Sequence, residues 1–318
     1  MKPISRRRFV ALTATGVAAA PLALKAGAIG GSVTAQGVVD RIKKNIGVDW
    51  KPDTPGTSDN IDTFKAGDPS ATVTGIVATS LASLEVLNRA VKAGANLIVT
   101  SEPTFFSRAD TPTPPVRRGF PGGPPPTTPA EPPPPDPVFT AKDDFIRKNR
   151  LIVFRLSDHW ALRTPNPFAQ GLANSLGWEK FAAPDDPAHL EIPDTSLDAL
   201  VTHVKKSLNS RGGMRIVGDP QLRIRKVAFL PGSTPIQASI QTLPGVDAII
   251  AGEVREWESV EYVRDTVALG GKKALVLVGR VVSEDPGMQV CAQWLKTIVP
   301  EVKSSWVSAG DPYWRPTL

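Results

Sequence analysis

The chain has one cysteine (Cys291) and three histidines (His159, His189, His203) in 318 residues. That scarcity excludes a disulfide scaffold, a zinc finger and a histidine-rich metal cage. It also lacks a Walker loop, a Gly-x-Ser-x-Gly elbow and the glycine fingerprint of a dinucleotide site. The soft apolar stretch from Val10 to Leu24 falls short of the roughly 20 residues needed to span a bilayer. What is present is ordinary globular composition, 41% apolar and 21% charged, enough for a substantial core.

The net charge of +6 is concentrated at one end. Residues 1–35 contain Lys2, Arg6, Arg7, Arg8 and Lys25 and no acid, while the rest carries 32 basic against 31 acidic groups. The body therefore has no polyanion signature, and no nucleic-acid partner is expected. Ser5-Arg6-Arg7-Arg8-Phe9-Val10 has the form of a twin-arginine export address, followed by the apolar stretch and small-residue cleavage sites after Ala28 or Ala35. These residues imply a leader over 1–35, export to the periplasm or beyond, and no membrane association after cleavage.

The body reads as an internal duplication. Residues 73–102 align without a gap to 224–253: an apolar strand, a helix, then a second apolar strand ending in Glu102 or Glu253. Short runs of β-branched residues bounded by glycine fit strands covered on both faces. A third strand follows in each half, at Leu151–Leu156 and Ala274–Val278, with helices opening near Gly171 and Gly287. The expected fold is α/β: two similar three-layer lobes, mostly parallel sheets, and a cleft between the lobes. The boundaries are 36–180 for the first half, 181–223 for a connecting insert and 224–318 for the second half and tail.

Ligands of open α/β sheets sit beyond the carboxyl ends of the strands. There the repeat brings Glu102 and Glu253, and the loops after the third strands bring Asp158 and His159, and Arg280 and Glu284. Glu256 follows in an acidic helix start (Glu253, Glu256, Glu258), which also reads as a dipole-complemented first turn. Residues 111–137 hold 13 of the 32 prolines and read as an extended insert. His189 and His203 read as surface residues. Cys291, among Met288, Val290, Ala292 and Leu295, reads as core.

In this order the segments resemble the Nif-three-like family (NGG-interacting factor), a dinuclear-metal-centre family also labelled type 2 GTP cyclohydrolase homologues. Gly67-Asp68-Pro69, Gly94-Ala95-Asn96-Leu97-Ile98-Val99, Gly252-Glu253, and Gly279 followed by Glu284 carry the resemblance, over roughly residues 36–300. It implies two α/β lobes around a two-metal centre, and a homo-oligomer, a hexameric ring. The metal motifs are degenerate. Ser101-Glu102-Pro103 stands where the family has two histidines before Pro or Gly. His159 keeps a ligand position, but a gap-free reading puts Arg163 where an Asp is expected. Gly279-Arg280 replaces Gly-His, and Glu284 remains.

A two-metal site needs several bridging donors around ions about 3.5–4 Å apart. The set left, Glu102, His159 and Glu284 with Asp158 in reserve, suits at most one weakly held hard cation: Mg²⁺, Mn²⁺ or Ca²⁺ before Zn²⁺. Arginine cannot ligate a metal, but it grips carboxylate or phosphate. The sequence thus favours an exported, non-catalytic or repurposed binder of a small anionic molecule, with Arg163, Arg280, Glu102, Glu253 and Glu256 at the ligand. A metal-dependent hydrolase acting on a nucleotide or phosphorylated compound, and a ring-shaped scaffold, are the alternatives.

Overall fold

A computed structural model of the protein describes residues 32–52, 60–108, 110, 136–210 and 213–314. Most of the expected leader, and residues 111–135 of the Pro-rich insert, lie outside the described residues. Residues 33–35, assigned to the leader by a cut after Ala35, belong to the fold. Val33 and Ala35 are core residues, and the Thr34 hydroxyl accepts the Gly37 N–H at 3.1 Å to cap α1 (Ala35–Asn45).

The first sheet has the order β1-β4-β3-β2-β10, with β1 at Phe64–Ala66, β2 at Ile76–Thr79, β3 at Leu97–Thr100, β4 at Ile152–Arg155 and β10 at Ser304–Trp306. All pairs are parallel except β1 with β4. Between these strands run α2 (Leu84–Lys92), capped by Ser83, and α3 (Pro137–Lys148), capped by Asp136 with proline at its first position. The second sheet has the order β5-β7-β8-β9-β6. Its strands are β5 (His189–Ser196), β6 (Arg215–Val217), β7 (Arg223–Ser233), β8 (Ala248–Glu253) and β9 (Ala274–Leu277). Its central three are parallel and its edges antiparallel. Here α6 (Leu197–Ser207) follows β5, while α7 (Ile236–Thr242) and α8 (Glu261–Ala268) alternate with the parallel strands.

The orders β4-β3-β2 and β9-β8-β7 match each other, as the repeated stretches imply. Two features differ from the expected boundaries. Residues 181–223 supply both edge strands of the second sheet. β10, expected in the tail of the second half, pairs with β2 in the first sheet, Ser304 opposite Ile76.

Helices cover both faces of each sheet. The first sheet packs α2 and α3 on one face through Val86, Leu87, Phe139 and Ile146. On its other face it packs α1 and α9 (Arg280–Ile298) through Val38, Ile42, Met288, Cys291 and Leu295. The second sheet packs α5 (Pro167–Leu176) and α6 through Leu172, Leu176, Leu200 and Val204. Thus α5, which follows the last parallel strand of the first half, covers the second sheet, and much of α9 covers the first. The two helices cross at Gly171 and Gly287, which lie inside the helices instead of opening them. The described residues form one compact unit.

Candidate functional site

The carboxyl ends of β3, β4 and β7 and the start of α9 enclose a cleft of about 440 Å³. Four charged expectations meet there: Glu102 just after β3, Asp158 opening the short α4 (Asp158–Ala161) after β4, and Arg280 and Glu284 on the first turns of α9. Arg280 donates from Nε at 2.9 Å and Nη2 at 2.6 Å to the same oxygen, Oε1 of Glu102, and its Nε lies 3.8 Å from Oε1 of Glu284. The Ser101 hydroxyl donates to the other oxygen of Glu284 at 3.2 Å. Both carboxylates are 6% exposed.

Burial pushes the Glu284 carboxyl well above the usual carboxylate range, and the adjacent Glu102 charge adds to it, with Arg280 only partly opposing. Hydrogen bonding toward Glu102 favours the protonated form of Glu284 in the same direction. For Arg280, burial disfavours the charge, but Glu102 outweighs it and holds the guanidinium more firmly protonated than usual.

Two arginines not singled out from sequence line the same cleft. Arg155, at the end of the buried β4 run, is itself 4% exposed and donates to the carbonyls of Ser101 at 3.3 Å and Arg108 at 3.2 Å. It fixes the loop after β3. Burial lowers its pKa, with nearby acids led by Asp110 resisting. Arg108, on that loop, has a side chain 66% exposed with its guanidinium 3.8 Å from Asp158. A second brace comes from Lys142 on α3, whose Nζ donates to the Thr104 carbonyl at 2.5 Å and faces the Phe106 ring at 5.0 Å. Burial brings the Lys142 pKa down to about 8, against the pull of Asp110. Asp110 in turn accepts the Phe105 N–H at 2.6 Å.

Four expected site residues stand elsewhere. His159 is fully buried: its Nδ1 faces Asp62 Oδ2 at 2.7 Å, and its Nε2 accepts the Lys51 N–H at 2.9 Å. These partners assign the proton to Nδ1. With both ring nitrogens engaged and Trp50 stacked on the ring at 3.9 Å, His159 offers no lone pair to a metal. It is a structural histidine. Arg163 stacks on Trp160 and Trp294, at 5.0 and 4.6 Å, instead of reaching the cleft. Glu253 and Glu256 line an adjoining cavity of about 650 Å³, of which Arg280 also forms part of the wall. Glu256 pairs there with Arg215. Cys291 is wholly buried, and burial pushes its thiol pKa up, so it is no nucleophile.

The donor set does not fit a two-metal centre. Among the described residues no three His, Cys, Asp or Glu side chains gather as a ligand cluster. A guanidinium sits hydrogen-bonded on the central carboxylate, where a dication would meet like charge at short range.

No curated protein matches the sequence. The fold is shared with solved structures. Protein SA1388 of Staphylococcus aureus superposes with a TM-score of 0.62 at 14% identity, covering 90% of this chain and 100% of that one. A Bacillus cereus protein related to NIF3 gives 0.62 at 13% identity, over 90% and 100%. Reduced HcgD from Methanocaldococcus jannaschii gives 0.53 at 14%, over 86% and 96%. At these identities the likeness is one of fold. The family model of Duf34/NIF3 (NGG1p interacting factor 3) matches residues 169–309, from α5 through β10, and supports the resemblance to that family.

Proposed function

We propose that the cleft binds a small anionic molecule through guanidinium groups and does not support two-metal hydrolysis. The observation that carries this reading is Arg280 seated between Glu102 and Glu284, with Arg108 open at the cleft mouth. Arg108, Arg155 and Arg280 line the cleft with Glu102, Asp158 and Glu284, and burial favours the neutral form of Glu284, which shifts the lining toward a positive surplus. A carboxylate, phosphate or sulfate group would take that surplus by charge-assisted hydrogen bonds. Export by the twin-arginine leader and assembly of a homo-oligomer belong to the same proposal, supported by the leader sequence and the family resemblance.

The test is thermal stabilisation by low-millimolar sulfate, whose charge does not change across the relevant pH range. Arg108→Ala is expected to weaken sulfate binding about tenfold, the loss of one good charge-assisted contact. Arg280→Ala is a poorer probe, because it strands the buried Glu102 carboxylate and tests stability first. A sign for pH also follows. Stabilisation by sulfate is fullest below the raised pKa of Glu284 and declines as pH rises through it, since ionisation removes the surplus. In Glu284→Gln it stays level. Equal stabilisation of the wild type and Arg108→Ala, or none in either, overturns the reading.

A further inference from the structure

We propose that the cavity beside Glu253 is a second binding site, specific for an organic cation with an apolar body. The cavity lies at the carboxyl ends of β8 and β9 and measures about 650 Å³, within the range of roughly 300–1,000 Å³ usual for small-molecule sites. Its walls are of three kinds. Val254, Leu277 and Val278 are buried and give an apolar floor. Tyr313 and Trp314, 73% and 83% exposed, bring two aromatic rings from the chain segment after β10. Glu253 supplies a carboxylate.

The sign of the ligand follows from which charges are already engaged. Of the two lining arginines, Arg215 is paired with Glu256, and Arg280 is turned to Glu102 and Glu284 in the neighbouring cleft. Glu253 lies exposed at the end of β8, where its charge favours that of Arg280 without an ion pair between them, and Asp311 adds a further carboxylate to the wall. An exposed carboxylate lining one cavity with two exposed aromatic rings suits an ammonium group: the carboxylate accepts its hydrogen bond, and the ring faces attract the positive charge. The apolar floor takes the organic remainder. An anion would meet Glu253 and is disfavoured here, although the adjoining cleft is proposed to take one. The two cavities share Arg280 as a wall and are read with opposite sign.

Equilibrium dialysis of the full chain against phenethylammonium, with neutral 2-phenylethanol as the comparison, tests this. Saturable binding of one phenethylammonium per chain is expected, at least tenfold tighter than 2-phenylethanol. Glu253→Gln and Trp314→Ala, both exposed positions, are expected to keep the wild-type melting temperature and to bind at least tenfold more weakly. Arg108→Ala is expected to bind phenethylammonium as the wild type does, so that failure here is separable from failure of the anion cleft. Absence of saturable binding, equal binding of the alcohol, or undiminished binding by Glu253→Gln would overturn the proposal.

Discussion

Gly171→Val is expected to abolish folding, and Gly171→Ala to cost about 3 kcal/mol or more. A Cβ at Gly171 would lie 2.4 Å from the carbonyl carbon of Pro286 and 2.5 Å from the Gly287 nitrogen. Both are backbone atoms, which cannot rotate away. From the other side, a Cβ at Gly287 would meet the Phe168 ring at 2.4 Å and its Cα at 2.7 Å. Neither helix is free to retreat. α9 is backed by the first sheet through Met288, Cys291 and Leu295, and α5 by the second through Leu172 and Leu176. In an open helix, Gly→Ala gains up to about 1 kcal/mol from propensity, so the sign of the effect reports the crossing itself. Gly245→Ala is the control: its added Cβ would meet nothing within 4 Å, and a change within about 0.5 kcal/mol is expected. Urea denaturation of the three variants measures this. A stabilised Gly171→Ala would show that the two helices do not touch there.

Asp62→Ala is expected to cost about 3–5 kcal/mol, because one fully buried carboxylate serves four donors. Its Oδ1 accepts the N–H groups of Ser157 at 2.7 Å and Asp158 at 3.2 Å. Its Oδ2 accepts the His159 N–H at 2.8 Å and the His159 ring at 2.7 Å. Asp62 thereby caps α4, orients His159 and sets the position of Asp158 at the cleft. Asp62→Asn keeps one acceptor oxygen and is expected to fall between. The same pair separates a structural His159 from a metal ligand. Divalent cations should leave the stability difference between wild type and His159→Ala unchanged, whereas a ligand role requires the difference to grow with added metal. Denaturant titrations with and without Mn²⁺ read this directly.

The parallel strands were legible because buried β runs have few alternatives: Ile76–Thr79, Leu97–Thr100, Ala248–Ile250 and Ala274–Leu277 are buried on both faces. The edge strands were harder to see. β5 alternates exposed and buried residues only over His189–Ile192 before an irregular register with β7, and β10 is three residues long. Gly171 and Gly287 looked like helix openings because glycine often punctuates. Here each is placed by a contact more than 100 residues away in the chain, which no local pattern carries. The exchange of α5 and α9 between the sheets was hidden for the same reason.

At the site, Glu102, Asp158, Arg280 and Glu284 were recoverable because each follows a buried strand by a few residues. Arg155 carried a readable sign, a charge closing an otherwise apolar run. Asp62 carried none, and without it His159 passes for a ligand. Arg163 fell where the family places an acid, but Trp160 and Trp294 hold it by cation–π contact.

Elemental analysis of the purified protein after dialysis bears most directly on guanidinium charge having replaced metal at the cleft. The account predicts well under one Mn, Fe, Zn or Mg per chain, unchanged by Glu102→Gln or Glu284→Gln. One or more tightly held ions per chain, lost in those variants, would contradict it.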